Sequence, residues 1–201
     1  MSIKIVGVGD AGSIFASKVH QENSVNNPHT ISLNTSAMLN YEVKTNESYV
    51  FEGSGLGASG NPMLGRQIAE KNKDFLFNLL DDTEFLIITA GMGCGTGTGA
   101  AHVVAYVARE MRIPTVGVVS TPYDFEGSQR QKIAKLGIRA LRKFADTVVT
   151  VEGESIRDRL RNDYRPQIRA LSLPISGHMK TLQFFVREEI YRQLDIYYDS
   201  L

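Results

Sequence analysis

Apolar positions along the chain follow two alternating rhythms. Short, nearly continuous runs rich in β-branched residues occur at 3–8, 30–33, 84–90, 114–119 and 146–151, as expected of strands buried on both faces. Between them, helical spacing predicts helices at 12–20, two within 63–80, then 100–111 and 128–144. Residues 41–65 read as loop, crowded with Gly53, Gly55, Gly57, Gly60, Asn61, Pro62 and Gly65. Strands that alternate with helices indicate parallel βαβ units. The expected fold class is therefore α/β, a Rossmann-like three-layer domain with a mostly parallel sheet. The chain closes on a different pattern: Ile175, Met179, Leu182, Val186, Ile190, Leu194 and Tyr197 recur every three or four residues, the stripe of one long C-terminal amphipathic helix.

Composition narrows the class. With 201 residues, 42% hydrophobic and 22% charged, the chain has the make-up of an ordinary globular protein and the length of one large domain. Lys plus Arg and Asp plus Glu each total 22, so no chain-wide field draws it to nucleic acid or to anionic lipid. The single cysteine, Cys94, excludes an internal disulfide framework and a cysteine-clustered zinc site. No metal-ligand cluster is visible. With no membrane-length apolar run and no leader-like start, the expectation is a cytoplasmic chain without a membrane anchor.

Two glycine-rich segments carry the chemistry. Gly7-Val8-Gly9-Asp10-Ala11-Gly12 has the G-x-G-x-x-G form directly between a strand and a helix, where glycines permit a tight turn and the helix start offers free N–H groups to phosphate. A dinucleotide site would want an acid about 20 residues on, closing the second strand. That strand ends instead at Asn34. The run Gly91-Met92-Gly93-Cys94-Gly95-Thr96-Gly97-Thr98-Gly99 places glycine at alternate positions after the strongest strand, and its hydroxyls, at Thr96 and Thr98, are candidate extra donors to an anion. It is not a Walker A loop, since no Lys stands between Lys73 and Lys132. Glycine costs up to ~1 kcal/mol of ordering entropy against alanine, so this density asks for a reason beyond turning. The residues alone leave open a nucleotide held between both loops, an NAD- or FAD-binding oxidoreductase built on Gly7, Gly9 and Gly12, and an interaction module that keeps the fold without a nucleotide.

The second glycine run, continued by Ala100-Ala101, resembles the signature of the tubulin and FtsZ superfamily of GTPases, with Cys94 where FtsZ usually has glycine. The likeness extends in order through Asn34-Thr35-Ser36-Ala37, Gly55-Leu56-Gly57-Ala58-Ser59-Gly60-Asn61-Pro62 and Thr115-Val116-Gly117-Val118-Val119 to Phe125-Glu126-Gly127, covering residues 3–151. The resemblance implies GTP or GDP as ligand, with Mg²⁺ carried on its phosphates. It implies Gly9, Asp10, Ala11, Gly12 and Ser13 on the α and β phosphates, and Gly93, Cys94, Gly95, Thr96, Gly97 and Thr98 around the phosphate chain. The resemblance also puts Asn34 in the same site, while Gly57, Ala58, Ser59 and Gly60 would lie near the γ-phosphate. Glu126 would accept from the ribose hydroxyls and Arg130 would reach the nucleotide as a charged donor. Read without the resemblance, Glu126 and Arg130 are an exposed i, i+4 pair.

Departures from the family pattern are specific. Asp10, Ala11 and Ser13 interrupt a nearly pure glycine loop, and Ile14 stands where the family has Asn. Glu152-Gly153-Glu154 replaces a turn whose Asn contacts the base, and Lys180 falls near an expected acid. Arg157, Arg159, Arg161, Arg165 and Arg169 form a locally basic segment, read as solvated surface. In the family, a loop after the long helix brings an acid to the next subunit's pocket; Asp195 and Asp199 are the catalytic candidates here. The expected division is a nucleotide-binding domain over 1–174 and a long core helix with tail over 175–201, with no second domain. The implied partner is a full-length FtsZ-like subunit or another copy, met head-to-tail through the nucleotide face, so that the chain acts in, or interferes with, filament assembly and cell division. A chain with the pocket face and no proper acid-bearing face would cap a filament and hydrolyse GTP very slowly alone.

Overall fold

A computed structural model describes residues 2–21, 28–37, 43–53, 55–153 and the helix and tail at 175–200, the last without the side chains of 175–181. Glu154, the basic segment at 157–169 and the side chains of Ile175, Met179 and Lys180 lie outside the described residues.

Six parallel strands form one sheet in the order β3-β2-β1-β4-β5-β6. They are β1 (Ile3–Val8), β2 (His29–Asn34), β3 (Glu47–Val50), β4 (Phe85–Gly91), β5 (Thr115–Thr121) and β6 (Thr147–Glu152). The helices are α1 (Gly9–Gln21), α2 (Pro62–Lys71), α3 (Lys73–Leu79), α4 (Gly95–Glu110), α5 (Ser128–Leu141) and α6 (Ile175–Asp199), with a 3₁₀ turn at Asp124–Glu126 before α5. Successive side chains of a strand point to opposite faces, so the central strands feed two cores at once. Ile3 and Ile5 of β1, Phe85 and Ile87 of β4, and Val116 and Val118 of β5 pack with Phe15 and Val19 of α1 and Leu182, Val186, Ile190 and Leu194 of α6. The alternate residues Val6, Val8, Leu86, Ile88 and Val119 pack with α2, α3, α4 and α5 through Ala69, Leu76, Val104, Val107 and Leu141. The result is the expected three-layer α/β domain, and α6 shares its core with α1.

Four assignments depart from the sequence reading by more than two residues. Strand β3 lies inside the segment read as loop; its Glu47-Ser48-Tyr49-Val50 is short and polar because it closes the sheet edge, pairing only with β2. Helices α1 and α4 start at Gly9 and Gly95, not at 12 and 100, so both glycine segments are largely helix starts rather than open loops. Helix α5 stops at Leu141, and 142–144 form turns.

Candidate functional site

Strands β1 and β4 are neighbours at the point where the strand order reverses. The helices leaving them, α1 and α4, pass to opposite faces of the sheet and open a crevice at the carboxyl ends. Gly9, with φ 72°, turns the chain directly from β1 into α1. A Cβ at Gly9 would lie 3.0 Å from the Gly97 nitrogen and 3.2 Å from the Thr96 Cβ, so the N-termini of α1 and α4 touch. The first N–H groups of each helix have no intrahelical acceptor, and the positive ends of two helix dipoles meet at one spot. That donor set fits a polyanion.

Side chains and loops brace this junction. The hydroxyls of Thr35 and Thr96 share a 2.6 Å hydrogen bond, tying the end of β2 to the first turn of α4. Gly57 N–H donates to the Thr35 carbonyl at 3.0 Å. The 57–60 turn, with Ser59 at φ 46° and exposed beside the buried Ala58, presses on α4 at Gly95, where a Cβ would sit 2.8 Å from that of Ala58. Asn61 caps α2 by accepting from Met63 N–H at 2.9 Å. Buried Asn34 accepts from Thr35 N–H at 2.8 Å, and its amide donates to the Asp10 carboxylate at 2.8 Å. The exposed Asp10 side chain is thereby drawn toward the end of β2.

On the other flank, Glu126 accepts from Tyr123 N–H at 2.9 Å and also from the Arg130 guanidinium, so it caps the 3₁₀ turn and holds Arg130. The Arg130 guanidinium also reaches the Cys94 Sγ at 3.0 Å, joining the start of α5 to the start of α4. Cys94 is at the surface, yet protein packed on its inner side pushes the thiol pKa up, with the Arg130 charge pulling it down.

The structure therefore gathers Gly9 to Ser13, Asn34, the 57–60 turn, Gly93 to Thr98, Glu126 and Arg130 around one crevice. Two of the hydroxyl-bearing residues assigned to the phosphates are buried inside the protein. Thr98, 5% exposed, accepts from Gly93 N–H at 2.8 Å. Ser13, 1% exposed, accepts from the Ser32 hydroxyl at 2.8 Å. Thr35 joins the site through Thr96 and was visible in the sequence only as part of the 34–37 motif. Asp195 and Asp199 are elsewhere. Tyr197, between them, stacks on Phe85 with ring centroids 4.1 Å apart, and Phe85 opens β4 while the glycine run follows its far end. At ~3.3 Å per residue the two candidate acids lie roughly 20 Å from the crevice. Among the described residues no His, Cys, Asp and Glu group of three or more is placed to hold a metal, and no helix is long and apolar enough to cross a membrane.

Fold and site together define a doubly wound α/β domain with a crevice at its topological switch point, where two helix N-termini meet. The model of the tubulin/FtsZ family GTPase domain matches residues 2–160, and the chain belongs to that family. It is 38% identical over 157 residues to the cell division protein FtsZ of Buchnera aphidicola subsp. Schizaphis graminum, a match covering 77% of this chain and 41% of that protein. An empty FtsZ dimer from M. jannaschii superposes with TM-score 0.84 at 28% identity, over 94% of this chain and 53% of that one. A GTPγS-bound CetZ2 protofilament from Haloferax volcanii shares the fold at TM-score 0.79 and 20% identity, over 94% of this chain and 57% of that one. The chain thus spans about two fifths of that curated relative's length. Family membership leaves the oxidoreductase and nucleotide-free readings without support.

Proposed function

We propose that the chain binds GTP or GDP in this crevice and takes part in nucleotide-linked subunit assembly in the cytoplasm. The single observation that carries the reading is the direct contact between the N-termini of α1 and α4, which supplies two sets of free N–H groups to one polyphosphate without a lysine. In this reading the N–H groups from Gly9 to Gly12 and from Gly95 to Gly97 take the phosphates, with Mg²⁺ carried on the phosphate oxygens. Arg130 adds a mobile positive charge once its contact with Cys94 is exchanged, and Glu126 turns an oxygen to the sugar hydroxyls. Asp195 and Asp199, at the other end of the sheet, belong to a face that meets the nucleotide of a neighbouring subunit, either a second copy or an FtsZ-like partner. That arrangement is consistent with the dimer and protofilament of the solved relatives.

Calorimetric titration of the chain with GTP, GDP and NAD checks the reading. Guanine nucleotides should bind one per chain and NAD should not. Arg130→Ala should weaken GTP about tenfold or more, the usual scale for a lost charge-assisted hydrogen bond. Unchanged GTP affinity in that variant removes Arg130 from the site, and tight binding of NAD overturns the reading as a whole.

A further inference from the structure

The chain's net charge is zero, yet six cations and no acid occupy residues 128–143, along α5 and the turn after it. At 3.6 residues per turn, Lys135 and Arg139 are rotated about 140° and 180° around the helix from Arg130. The nucleotide crevice therefore takes one side of α5, and the opposite side carries a separate basic surface. There, between α5 and the ends of β5 and β6, lies a cleft of about 390 Å³. Lys135, Arg139 and Arg142, all exposed, stand along it, and among the described residues none of the three forms an ion pair. Its floor includes the apolar side chains of Ala134, Ile138 and Pro122. On the same helix, Leu136 is 64% exposed.

We propose that the cleft between α5 and β6 is a docking site for an extended acidic peptide segment of a partner protein, carboxylates to Lys135, Arg139 and Arg142 and aliphatic side chains to the floor. Charge complementarity sets the sign of the partner, and the shape of the cleft sets its kind. A cleft of this volume accepts a few side chains of a single strand. A flat anionic bilayer does not reach the floor of a concave site. Nucleic acid is disfavoured because Asp124 and Glu152 also line the cleft and would face a uniformly charged phosphate backbone, and because among the described residues the lining has no aromatic ring on which a base could stack. A peptide can place its carboxylates by the cations and leave uncharged residues opposite those two acids.

The test uses the full 201-residue chain and a short fluorescein-labelled peptide of alternating glutamate and leucine, followed by anisotropy. Saturable binding is expected, weakening with salt as screening grows. The double charge reversal Lys135→Glu with Arg139→Glu should weaken it about tenfold or more while GTP affinity stays unchanged. The neutral pair Lys135→Gln with Arg139→Gln keeps good helix formers on the surface and should fall between, which separates lost charge from lost folding. Equal peptide affinity across the three proteins overturns the proposal. So does tighter binding, through the same cations, of a single-stranded oligonucleotide of matched charge.

Discussion

Asp10 stands in the first turn of α1, where a carboxylate favours the helix dipole in the empty protein but opposes a phosphate bound to the same N–H groups. Its 2.8 Å contact with the Asn34 amide holds that charge beside the crevice instead of letting it swing into solvent. The Asp10→Asn change keeps an acceptor for Asn34 and removes the charge. It should tighten GTP by roughly three- to tenfold at low salt, and the gap should shrink near 0.5 M salt, where the screening length falls to about 4 Å. Weaker binding in the variant would show that Asp10 assists the phosphates through a shared cation. At this scale the two strand-to-helix turns were legible, because glycine clusters directly after β1 and β4. The hydroxyls were not. Thr96 and Thr98 are one residue type two positions apart, and only the path of α4 sends Thr98 back to Gly93 N–H while Thr96 meets Thr35.

Helix α4 accounts for much of the glycine run in a way that spacing alone does not convey. Gly93, at φ 100°, makes the turn, but the later glycines are packing positions. A Cβ on Gly99 would fall 2.2 Å from the Pro62 carbonyl oxygen, and one on Gly65 would fall 2.4 Å from that of Gly95. Helices α2 and α4 therefore cross with backbone nearly against backbone, and this close crossing keeps the 57–60 turn against the start of α4. A Cβ on Gly97 would likewise sit 2.4 Å from the Gly91 oxygen, so the helix begins pressed on the end of its own strand. Bulky changes at Gly95 or Gly97 would act through packing before they acted on a ligand. Gly99→Ala, two residues past the last N–H group assigned to the phosphates and packed on α2, tests the packing contribution. It should destabilise the protein by about 1–3 kcal/mol, the usual cost of overpacking, seen as a lower urea midpoint. An unchanged midpoint would mean that α2 shifts freely on α4. The β4 and β5 strands were read to within two residues because both are buried on two faces; β3 was hidden because an edge strand needs neither apolar face nor length.

At the scale of the molecule, the crevice and the candidate acids occupy opposite ends of one sheet, a separation set by strand length. No bending of a single chain brings Asp195 or Asp199 to a nucleotide held between its own α1 and α4. If these acids serve hydrolysis, they serve it across a head-to-tail contact, a heterologous interface in which one chain's crevice meets another's far end. Phosphate release per chain should then rise with protein concentration instead of staying constant. A sharper test uses two crippled proteins. Arg130→Ala impairs the crevice and leaves the far end intact; the double change Asp195→Ala with Asp199→Ala does the reverse. Each alone should turn over GTP far more slowly than the parent chain. In an equal mixture with random association, one interface in four joins an intact crevice to intact acids, so activity should return to about a quarter of the parent rate at the same total concentration. Activity in the mixture that merely averages the two parts, or a double acid variant that matches the parent, would remove Asp195 and Asp199 from the chemistry and leave the far end of the sheet as a contact surface alone.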